Sequence, residues 1–149
     1  MMITALVLAA ALQTWPGPDA QPEKLDLGCG YTPGAKMLFP ILVGYFDDEA
    51  SGFHGRAYAT MGGWGGLGDT PFSAASDRDW YRENATLTFG GRDYVKYGLP
   101  RVLGRTDVVW FAEHDGVAVA AEPGATEPEV VYVLVTPEEC GFQPYQRAA

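Results

Sequence analysis

Short apolar runs separated by breaks rich in glycine, proline and acidic residues recur along this chain, a pattern of strands and turns rather than long helices. Met37–Phe46 (MLFPILVGYF) is apolar on both parities, and Pro40 inside it argues for an edge strand, a bulge or two short pieces. Phe53–Thr60 (FHGRAYAT) is expected to pair back on it across the acidic turn 47–52. Ala85–Tyr97 reads as two strands joined by Gly90-Gly91, where both residues can take the positive φ of a two-residue hairpin turn. Val108–Ala121 repeats the arrangement around Asp115-Gly116. Val130–Val135 (VVYVLV) is apolar on both faces, as expected of a strand inside a sheet. After a turn at 136–139, Gly141–Tyr145 is expected to run back against the N-terminal part.

Two stretches depart from the strand pattern. Met61–Asp69 (MGGWGGLGD) places five glycines around Trp64 and is predicted to be a loop, because each glycine loses much backbone entropy on ordering. Ser76–Glu83 (SDRDWYRE) is predicted to form one short helix, with Ser76 or Asp77 as its cap. The expected fold class is mainly β: a single small domain built as a curled antiparallel sheet or small barrel of six to eight short strands, with a short helix at 76–83. No internal repeat or second domain is evident.

Composition narrows this further. With 149 residues, 47% of them hydrophobic and 19% charged, the chain has the material for one packed core. The net charge of -9 repels polyanions at long range, so nucleic-acid binding is not expected. Charge is also segregated. Residues 78–105 hold six basic side chains against three acids, whereas residues 107–139 hold eight acids and no Lys or Arg. These regions are expected to pair across the sheet or to face a partner.

Ile3–Leu12 (ITALVLAAAL) is too short to span a bilayer but suits a secretory signal, with Ala9-Ala10-Ala11 offering an Ala-x-Ala cleavage site; a basic n-region is missing. Residues 1–11 therefore read as a signal-type segment. Residues 12–24 read as a Pro/Gly-rich tether, 25–145 as the domain and 146–149 as a tail. Lipidation of Cys29 fits poorly, since Asp26 precedes it closely and the apolar run ends far upstream. Cys29 and Cys140 bracket the domain, as expected of a disulfide formed in the periplasm or outside the cell.

No constellation carries obvious chemistry. His54 and His114 are the only histidines and lack metal-ligand spacing, so no metal or other cofactor is expected. Asp47, Asp48 and Glu49 with Ser51 offer oxygen ligands, but the EF-hand spacing is absent and a solvated acidic turn is expected. Neither a Gly-x-Ser-x-Gly elbow nor a phosphate loop is present. The expectation is a non-catalytic envelope or secreted module that binds another envelope protein or a cell-wall sugar. Trp64 in the glycine-rich stretch 61–69 would do so together with Tyr58, Trp80 and Tyr81. The alternative is a small carboxylate-dependent hydrolase using Glu113 and Asp115, or Asp47 and Asp48.

Overall fold

The structure, a computed structural model, describes residue 16 and residues 20–60, 63–66 and 72–149. The signal-type segment lies outside the described residues, as do residues 12–15 and 17–19 of the tether and 61–62 and 67–69 of the glycine-rich stretch.

The fold is mainly β, as the alternation predicts, and its described strands form two antiparallel sheets. The first is a meander of β1 (Lys24–Gly30), β2 (Phe39–Asp48), β3 (Phe53–Thr60) and β4 (Gly63–Gly66), in that spatial order. The second is the curled sheet. It contains β5 (Leu87–Phe89), β6 (Arg92–Lys96), β7 (Arg101–Val102), β8 (Val109–His114), β9 (Val117–Ala121), β10 (Val130–Thr136) and β11 (Gly141–Arg147). Its spatial order is β5-β6-β11-β10-β9-β8, with β7 paired to β11. Both expected hairpin turns form: Gly90, Gly91, Asp115 and Gly116 all have φ between 50° and 75°. The apolar run 130–135 lies between β9 and β11, inside the sheet.

Two local expectations are corrected. Gly63–Gly66 is a strand rather than part of a loop, because its backbone pairs with β3 from Ala57↔Gly66 to Thr60↔Gly63, and a ladder of backbone hydrogen bonds needs no side chains. The helix is one turn, α1 (Asp79–Arg82), and its N-cap is Arg78 with no side-chain cap hydrogen bond, so neither Ser76 nor Asp77 caps it. Pro40 is accommodated at an edge, one of the alternatives its position allows, within a single continuous strand that has neighbours on both sides over part of its length. Pairing with β3 runs from Val43 to Asp48, whereas Pro40 is matched to Cys29 of β1, so the proline sits where β2 is locally an edge.

The two faces of the second sheet carry separate clusters. One face presents Leu87, Tyr94, Val117, Val119, Val131, Val133 and Tyr145 to the segment bearing Ala75, Trp80 and Tyr81. The other presents Val108, Ala118, Ala120, Leu134 and Phe142 to Cys29, Tyr31 and Cys140. The first sheet docks at this second cluster. The Cys29–Cys140 disulfide crosses the junction with a Cα–Cα distance of 4.9 Å. Backbone bonds from Ser73 N–H to the Tyr31 carbonyl (2.8 Å) and from Ala75 N–H to the Leu134 carbonyl (2.9 Å) stitch residues 73–75 between the sheets.

Candidate functional site

Strand register divides the side chains of the first sheet between two faces, since partners in an antiparallel pair point the same way. Ile41, Val43 and Tyr58 share the inner face and are buried, with the Phe72 ring set against both Phe39 (5.5 Å) and Tyr58 (5.3 Å). The outer face carries Leu25, Leu27, Leu42, Gly44, Phe46 and Trp64, of which Phe46 is buried, and Cys29 follows Leu27 on it where the sheet meets the second one. Trp64 is half-buried there, edge-on to Phe46 at 4.9 Å, and a Cβ at Gly44 would lie 3.1 Å from its ring. The missing side chain at Gly44 thus makes room for the indole. Beyond it Leu27 and Leu42 are matched in register, with Leu25 next along β1. All three are open to solvent, at 56%, 38% and 52% exposure respectively.

The four aromatic residues expected to form one site do not converge. Trp64 lies on the outer face, Tyr58 on the inner face of the same sheet, and Trp80 and Tyr81 against the other sheet. Trp80 donates its indole N–H to Asp115 (2.9 Å) and packs edge-on to His114 at 4.7 Å. Tyr81 lies beneath the Lys96 ammonium, 3.6 Å from its ring centroid, and donates its hydroxyl to Gln143 Oε1 at 3.1 Å. Burial raises the Tyr81 pKa and lowers that of Lys96, each favouring the neutral form.

The carboxylates suggested for hydrolysis are engaged separately. Glu113 accepts hydrogen bonds from the Gly34 N–H (2.7 Å) and the Tyr31 hydroxyl, and the Trp110 indole in turn donates to Tyr31 at 3.2 Å. The Gly34 and Tyr31 donors hold Glu113 below the usual carboxylate range, while burial and then the Glu113 bond raise Tyr31. Asp115 belongs to the opposite face, with Trp80 and, at 3.8 Å, Arg78. Asp47 takes the imidazole of His54, whereas Asp48 accepts from the Ser51 hydroxyl at 2.5 Å. None of these four carboxylates lines the pocket at the sheet junction, that beside residues 72–78 or that beside 122–132. Among the described residues no three His, Cys, Asp or Glu side chains gather as metal ligands, and no helix is long and apolar enough to cross a membrane.

Sequence reasoning did not single out Leu25, Leu27 and Leu42 as surface residues. Nor was β1 read as a strand: the short alternation Leu25-Asp26-Leu27-Gly28 is the one signal for it, and it does not say which face stays open. Comparison with protein-family models, curated proteins and solved structures returns no match.

Proposed function

We propose that this protein is a non-catalytic binding module working in the periplasm or outside the cell, engaging another polypeptide through the outer face of β1–β4. The observation that carries this reading is the row of exposed leucines, Leu25, Leu27 and Leu42, continuous through Gly44 with Trp64. Contiguous exposed apolar side chains on an otherwise packed sheet mark interaction surfaces. Export is supported by the Cys29–Cys140 disulfide together with the signal-type residues 1–11. A polypeptide suits the surface because Trp64 is set edge-on to Phe46 and the leucines beside it are aliphatic, contacts that apolar side chains of a partner can match. Hydrolysis is less well supported. A general acid needs a raised carboxyl pKa, and Glu113 is shifted the other way by donors that hold it ionised.

The test compares immobilised wild-type protein with Leu27→Glu, Trp64→Ala and Leu99→Glu, the last replacing an 84%-exposed leucine outside the first sheet. From an envelope extract of the source cells, wild type and Leu99→Glu should retain the same polypeptide and Leu27→Glu should lose it, with stability changed by no more than about 0.5 kcal/mol. Trp64→Ala should also lose it. Equal retention by Leu27→Glu and wild type would overturn the surface assignment.

A further inference from the structure

A separate concave site lies where the sheets meet, sharing no residue with the leucine face. Its volume is about 330 Å³, and its walls include Met37, Phe39, Val109 and Trp110, with Lys36 and Arg105 completing the lining. The volume falls at the small end of ligand pockets, roughly 300–1,000 Å³. Phe39 begins β2, Val109 and Trp110 begin β8, and Arg105 lies in the turn ahead of β8, so the pocket exists only because the sheets are joined. The hydrogen-bonding edge of Trp110 is already taken by Tyr31. Met37 and Val109 remain 59% and 47% exposed, leaving apolar surface uncovered at the site.

The two cations are unusual in a chain of net charge -9. Among the described residues neither Lys36 nor Arg105 is in a salt bridge. Asp107, next but one to Arg105, spends its carboxylate on the Gly104 N–H at 2.7 Å. Glu113 interacts electrostatically with Lys36, but its oxygen is held by Gly34 and Tyr31. At physiological salt the screening length is about 8 Å, so an anion inside the pocket responds chiefly to these nearby cations rather than to the acidic surface as a whole. An arginine fork matches a carboxylate with two parallel N–H bonds, and a lysine adds a second positive charge.

From this combination we infer that the junction pocket binds a small single-chain amphiphile with a carboxylate head. Arg105 and Lys36 receive the head, and Met37, Phe39, Val109 and Trp110 receive the apolar body. A two-chain lipid is too large for the volume. Titration of the oxidised full chain with decanoate, followed by calorimetry, tests this. Decanoate should bind saturably at one site, and decylamine, with the same chain and the opposite charge, should not. Arg105→Glu should weaken decanoate by at least about tenfold. Arg105→Lys, which keeps the charge but loses the fork, should weaken decanoate less than Arg105→Glu does, and Val109→Trp should block binding by filling the space. Leu27→Glu should bind decanoate as wild type does, which separates this site from the polypeptide face. The inference is overturned if decanoate fails to saturate below about 1 mM. Equal binding of the two amphiphiles would also overturn it, as would wild-type affinity in an Arg105→Glu variant of unchanged melting temperature.

Discussion

Tyr145 and Tyr94 show how differently two buried hydroxyls can be served. Tyr94 donates to the Pro128 carbonyl at 2.7 Å, whereas the Tyr145 hydroxyl, fully enclosed, has no hydrogen-bond partner among the described residues. Burial drives the Tyr145 pKa well above the ordinary tyrosine range. A buried polar group without a partner costs about 1–3 kcal/mol of desolvation. Tyr145→Phe should therefore stabilise the protein by about 1 kcal/mol in denaturant unfolding, and Tyr94→Phe should destabilise it by about the same amount. A loss of stability in Tyr145→Phe would reveal a partner, such as a buried water. At this scale the sequence was legible where chemistry is local: Gly90-Gly91 and Asp115-Gly116 announce their turns because few other residue pairs tolerate positive φ at both positions. It was silent on the hydrogen bond between Tyr31 and Glu113, which are 82 positions apart and carry no mutual signal.

Among the strands, β1 owes its docking to missing side chains. A Cβ at Gly28 would lie 2.4 Å from the Pro137 carbonyl oxygen and 2.7 Å from Ile41 Cγ1, and one at Gly30 would lie 2.4 Å from the Phe39 ring. The aromatic ring can turn aside, but the Pro137 carbonyl belongs to the 3-10 turn 137–139 that leads into Cys140 and has little freedom. Gly28→Ala should cost about 1–3 kcal/mol in equilibrium unfolding, and a neutral effect would mean that the turn shifts freely. The hairpin strands β5–β6 and β8–β9 and the wholly apolar β10 were readable for what they are. By contrast β4 was not, since its four residues include three glycines and its strand character resides in backbone bonds to β3. The two-residue β7 is too short to leave a period at all. The outer leucine face was only partly legible: Leu42 falls in the expected strand region 37–46, whereas β1 was not read as a strand, and exposure depends on what the rest of the fold leaves uncovered.

Taken together, the described strands form two sheets held at one junction, and the disulfide closes that junction between positions 111 apart. Constraining so long a loop contributes about 4–5 kcal/mol through the unfolded chain. Reduction, or Cys29→Ser with Cys140→Ser, should lower unfolding free energy by about that amount, and a change below about 1 kcal/mol would contradict it. The segregated charge of residues 78–139 also has a structural outlet, because Arg92 meets Glu127 at 2.8 Å and Arg78 approaches Asp115 at 3.8 Å. Such solvent-screened surface pairs serve arrangement more than stability. Neither the division into two sheets nor the pocket between them could be read from the chain, since both follow from the long-range order of strands. Strand β11 lies between β6 and β10, so without it the hairpin β5–β6 and the three strands β8–β9–β10 share no ladder. Cys140 immediately precedes that strand, so its bond to Cys29 ties the end of β1 to the start of the strand that joins the two ladders.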